Sequence, residues 1–86
     1  MDVIRVKAVS RTAAVAGAIA GIFREKKHAE VQAIGAGAVN QAVKAMVLAK
    51  NFLAQEGVEV IFIPEFVNVE IEGKVRTAIK FIIAAR

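Results

Sequence analysis

The sequence has no cysteine, tryptophan or tyrosine, and only one proline in 86 residues. Without cysteine there is no disulfide framework, thiolate zinc site or iron–sulfur cluster. Ser10, His28 and Asp2 are the sole serine, histidine and aspartate. No spacing among them forms a nucleophile–base pair. His28 follows Lys26 and Lys27 at a predicted helix end, the place of a solvated surface histidine. Glu70 and Glu72 read as a solubilising strand edge. No histidine cluster or oxygen-rich loop points to a metal. The expectation is a protein that is not an enzyme and carries no cofactor.

Long apolar runs are missing too. The longest uncharged stretches, 12–23 and 31–43, fall short of the roughly 18–20 residues that span a bilayer. No transmembrane helix or membrane partner is expected. The run Ala13 to Phe23, preceded by Arg5, Lys7 and Arg11, imitates a secretory signal. It is rich in alanine and glycine, lacks leucine, and is closed by Arg24 to Lys27 without a cleavage site. A globular helix and a cytoplasmic protein are the expected reading.

What is abundant is apolar content: 57% of residues are hydrophobic, against roughly 45–50% in ordinary globular chains. Disorder is excluded. A chain this short buries only about two-thirds of its unfolded surface, so part of the apolar content is expected to close a homodimer or larger oligomer. The second helix and the last two strands are the expected interface. The net charge is +4. All of the excess lies in residues 1–28, where Arg5, Lys7, Arg11, Arg24, Lys26 and Lys27 face only Asp2 and Glu25. That asymmetry suits a polyanion-binding face.

Hydrophobic periodicity divides the chain. Ile4, Val6 and Ala8 alternate with Arg5 and Lys7, which predicts a half-buried strand over 3–8. Thr12 is the predicted N-cap of a helix carrying Val15, Ile19, Ile22 and Phe23. Gly17 and Gly21, each costing about 1 kcal/mol relative to alanine inside a helix, are expected to recover that loss through close packing. Residues 30–34 read as a second, buried strand, and Ala38 to Phe52 as a second helix. Val58 to Ile63 is β-prone and is expected to stop at Pro64. Val67, Val69 and Ile71 alternate with polar residues up to a hairpin turn at Glu72-Gly73-Lys74. Thr77, Ile79, Phe81 and Ile83 mark the last strand. The order is β-α-β-α-β-β in a single α/β domain, 1–86, with a hairpin arm over 65–76. Phe66 sits in alternating surroundings as a buried anchor for that arm.

The strongest local feature is Gly35-Ala36-Gly37-Ala38-Val39-Asn40-Gln41, between a strand and a helix. Glycines let a ligand approach the backbone, and the helix N-terminus offers unpaired N–H groups to phosphate. Asn40 and Gln41 add side-chain donors, and Lys44 lies one turn on. It is not a dinucleotide fingerprint, because Asn40 stands at the third glycine and no acidic residue follows at the required distance. A right-handed crossover places the first two strands side by side, so that this turn and Ser10-Arg11-Thr12 open at one end of the sheet.

The run Val15-Ala16-Gly17-Ala18-Ile19-Ala20-Gly21, the segment Ala29 to Ala45 with its Gly35-Ala36-Gly37 turn, Ile63-Pro64 and Arg76-Thr77-Ala78-Ile79-Lys80 together resemble the stage V sporulation protein S (SpoVS) family over essentially the whole chain. That family is similar in turn to the Alba domain of archaeal chromatin and RNA-binding proteins. The resemblance implies a two-layer sandwich, with a four-stranded mixed sheet packed on two helices. It also implies a cytoplasmic, dimeric regulator associated with sporulation, holding DNA or RNA between two loops and the hairpin arm. Carried onto this chain, the nucleic-acid site comprises Arg11, Gly35, Gly37, Asn40, Gln41, Lys44, Lys74 and Arg76. The chain departs from the Alba pattern in having Arg11 alone in the first loop and no cation in the second, and the arm sums to −1. Binding is therefore expected to be weak and largely non-specific. The alternatives are a protein–protein interaction module in a regulatory complex, or a small-ligand or nucleotide binder at the Gly35–Gly37 turn.

Overall fold

The computed structural model describes residues 3–86; Asp2 lies outside them. Its elements are β1 (Val3–Val6), α1 (Thr12–Lys26), β2 (Ala29–Ala33), α2 (Ala36–Gln55), β3 (Val60–Ile71) and β4 (Lys74–Ala85). The sheet runs β1-β2-β4-β3, with β1 and β2 parallel and the other neighbours antiparallel. This is the two-layer Alba-like architecture implied by the resemblance. No helix among the described residues is long and apolar enough to cross a membrane.

Local chemistry sets the boundaries. β1 ends two residues earlier than alternation suggests because Lys7–Ser10 closes a turn. Ser10 N–H donates to the Lys7 carbonyl at 2.9 Å, and Lys7 N–H donates to Ser10 Oγ at 2.8 Å. Arg11, not Thr12, is the N-cap of α1, with extended dihedrals and no side-chain cap. α1 stops at Lys27, which adopts φ 59° and returns its N–H to the Phe23 carbonyl at 2.8 Å. A left-handed residue there satisfies a helix-end carbonyl.

The core lies between one face of the sheet and the two helices. Ala29, Val31 and Ala33 of β2 point inward opposite Ile83, Phe81 and Ile79 of β4. Ile19, Ala20 and Phe23 of α1 meet Ala42, Ala45, Ala49 and Leu53 of α2, all but buried. Alanines at the crossing let the helices approach closely. Phe23, Ile19 and Leu53 are among the largest fully buried side chains, each worth about 1.5–3 kcal/mol when fully buried.

Pro64 does not end β3. The strand continues to Ile71, with Pro64 opposite Phe81. β3 is an edge strand, and on its outer side a missing N–H breaks no ladder. Beyond the Ala33–Ile79 pair, the last between β2 and β4, the β3–β4 hairpin continues alone as the arm. It turns at Glu72 and Gly73, both at positive φ, the two-residue geometry that matches strand twist. The arm stretches the molecule to 42 Å in its long dimension, against 22 and 17 Å in the others.

Two packing expectations are corrected. Gly17 and Gly21 lie on the exposed side of α1, and a Cβ built on either meets nothing within 4 Å. Among the described residues, no close packing compensates them. Phe66 is 79% exposed, not buried. It stands opposite Ile79 on the helix-facing side of the sheet, at the base of the arm where the helical layer does not cover it.

Candidate nucleic-acid interface

Because β1 and β2 are parallel neighbours, in register from Val3–Glu30 to Val6–Ala33, their C-terminal ends finish together. The Lys7–Arg11 loop and the Gly35 turn therefore open at the same end of the sheet. The arm departs from that end as well, since its first unpaired rungs lie just beyond Ala33.

Gly35 makes the second loop possible. It adopts φ 90° and ψ 156°, a region essentially reserved for glycine. Its carbonyl accepts the first helical bond, from Val39 N–H at 3.0 Å. α2 thus begins at Ala36, two residues before the start suggested by periodicity. Gly37 serves a different need: a Cβ there would stand 3.0 Å from the Ala8 Cβ. Gln41 spans the two loops, donating through Nε2 to the Ser10 carbonyl at 2.8 Å and toward Thr12 Oγ1 at 3.4 Å. Gly37 and Gln41, singled out as ligand contacts, therefore also fasten the first loop to the start of α2. Their positions make the helix N-terminus and Arg11 parts of one rigid end.

Asn40 and Lys44 are exposed one turn apart on α2, and Arg11 is exposed at the start of α1. No described carboxylate pairs with Arg11 or Lys44. Lys74 and Arg76 are exposed on the arm, opposite Ile71 and Val69. Register places them on the face of the hairpin turned away from the helices. The eight residues therefore form two groups, one around the loops and one along the outer face of the arm.

Periodicity left Arg5 and Lys7 as polar strand residues. The structure sets both beside the arm, where with Arg76 they border a concavity of about 340 Å³. The readable signal was their alternation with Ile4 and Val6, which sends them to the open face. Neighbouring Lys80 is neutralised by Glu65 at 3.1 Å and Glu30 at 3.9 Å. Its pKa is raised chiefly by the hydrogen bond to Glu65, against a smaller lowering by desolvation. At the opposite end, Arg24 donates to both carboxylate oxygens of Glu56, tying α1 to the end of α2. The bond to Arg24 holds the Glu56 pKa below the usual glutamate value. Among the described residues no three His, Asp or Glu side chains gather in a metal-ligating group.

The family model of stage V sporulation protein S (SpoVS) matches residues 2–86. The chain belongs to the SpoVS family. Membership supports a sporulation-related regulatory protein, and the match leaves no part of the described fold outside the family domain. In this SpoVS chain, the loop end and the arm are the features that combine exposed cations with accessible backbone donors.

Proposed function

We propose that this protein is a homodimeric regulator that binds DNA or RNA weakly and with little sequence preference, and that it is not an enzyme. The observation that carries the reading is the convergence of the Arg11 loop, the α2 N-terminus and the arm at one end of the sheet. Arg11 forks onto phosphate, the first turn of α2 supplies backbone N–H donors, and Asn40 reaches sugar or base edges. Lys44, Lys74 and Arg76 extend the contact along the backbone. Dimerisation is supported by apolar side chains that the single chain leaves exposed. Val43 and Val47 lie one turn apart on α2, at 43% and 53% exposure, and Phe66 stands on the same side of the sheet.

A second reading is favoured by Val9, Phe66 and Val75, exposed at 88%, 79% and 68%. Such side chains suit a protein partner in a regulatory complex. Titration of duplex DNA, single-stranded DNA and RNA across a salt series separates the two. Three to five phosphate contacts per subunit give a log–log slope of about −3 to −5 on duplex DNA. Absence of any complex at low salt transfers the function to protein interaction.

A further inference from the structure

The concavity between the arm and the open sheet face adjoins the proposed nucleic-acid site, sharing Arg76 and the start of the first loop at Lys7 and Ala8, and adds a lining of its own. Its apolar walls come from Ile34 after β2 and from Val69 and Ile71 of the arm, and its rim from Arg5, Lys7 and Arg76. At about 340 Å³ it falls within the 300–1,000 Å³ typical of small-molecule sites. Charge balance around it is one-sided. No described carboxylate pairs with Arg5, Lys7 or Arg76, whereas Lys80, one position further along the Arg5–Gln32 row, is held by two glutamates. Among the described residues, Glu70 is the only acidic one lining the concavity, opposed by three cations.

The hydrogen-bonding equipment is sparse. Apart from the charged side chains, Gln32 is the only described lining side chain with amide donors and acceptors, and no described residue contributes an aromatic ring. That lining has no ring to stack on a base, and its apolar walls accept an aliphatic body whose single anionic end meets the arginines and lysine. We propose that this concavity binds a small aliphatic carboxylate, with its chain against Ile34, Val69 and Ile71 and its head group at Arg5 and Lys7. Ligand binding there bridges β1 and the arm, fixing the arm against the sheet.

Decanoate is the probe, with decanol as its uncharged counterpart, both below their aggregation limits. The readout is methyl NMR of the intact protein without nucleic acid. The expected result is a saturable shift of the Ile34, Val69 and Ile71 methyls with decanoate, weakened at least about tenfold for decanol and for the Arg5→Gln, Lys7→Gln double variant, since charge-assisted hydrogen bonds are lost. Val69→Phe, which fills the wall without removing charge, abolishes the response; amide spectra of each variant establish that it is folded. The proposal is overturned if decanol binds as well as decanoate, or if the shifts spread equally to Val43 and Val47. It is also overturned if these methyls respond only to protein concentration, the mark of a second copy, or only to a single-stranded oligonucleotide. Failure here leaves the loop-end reading standing, because that reading is measured by nucleic-acid titration without decanoate.

Discussion

Replacing Gly35 with alanine isolates backbone strain from packing. A Cβ at this position meets no atom within 4 Å, so no clash confuses the result. The residue must nevertheless keep φ 90° and ψ 156° if the β2–α2 loop is to close and hand its carbonyl to Val39. An L-residue held in that region costs about 1–3 kcal/mol. For a domain of this size, 1 kcal/mol corresponds to about 4–8 °C, so a cost of about 1–3 kcal/mol lowers Tm by about 4–24 °C. The assay is thermal unfolding by far-UV circular dichroism at one fixed protein concentration, because the proposed dimerisation would make Tm concentration-dependent. Chemical ligation permits a D-alanine at 35, whose mirror-image preferences accept positive φ, and that variant is expected to melt near the parent. A Tm for the L-alanine variant within 2 °C or so of the parent, or equal losses for both enantiomers, refutes the assignment of this glycine to backbone geometry.

Further outcomes follow from the surface. Gly17→Ala and Gly21→Ala, on a side of α1 that no described residue covers, are each expected to stabilise by about 1 kcal/mol; a lower midpoint in urea means that another molecule packs there. If the proposed dimer forms through α2, Val47→Glu is expected to shift sedimentation equilibrium toward monomer; an unchanged mass distribution contradicts that interface. Glu56→Gln is expected to lower Tm at neutral pH. The Glu56 pKa is depressed in the folded protein by Arg24, so its contribution is full above the ordinary glutamate range and disappears as pH falls through the lowered value. The variant and parent therefore converge in strong acid; a difference independent of pH contradicts the ion-pair account.

Element types were legible where one face is buried and the other wet. β1 shows it plainly, as Val6 is buried and Arg5 exposed. The length of β3 was not legible, because Pro64 is a breaker in a central strand but harmless at an edge, and edge position depends on the whole topology. Phe66 was misread for a related reason: alternation says which face of a strand a residue occupies, not whether a second layer covers that face. Gly17 and Gly21 illustrate the converse, since small residues suggest close packing whether or not a neighbour exists. At the candidate site, Gly35 and Gly37 were visible as a motif, but their separate reasons were not. One requires an unusual dihedral pair; the other makes room for Ala8 from a different loop. The hydrogen bond from Gln41 to Ser10, 31 residues away in sequence, had no local signature at all.

The central claim is that the loop end binds nucleic acid through few phosphate contacts, and the salt dependence of that binding tests it most directly. Parent and Arg11→Ala proteins are titrated against duplex DNA and single-stranded RNA by fluorescence anisotropy over a series of salt concentrations. The account predicts a duplex log–log slope of about −3 to −5 for the parent, flattened by about one unit in the variant, with affinity weakened uniformly across sequences. No complex at low salt, or an identical affinity and slope for Arg11→Ala, contradicts it.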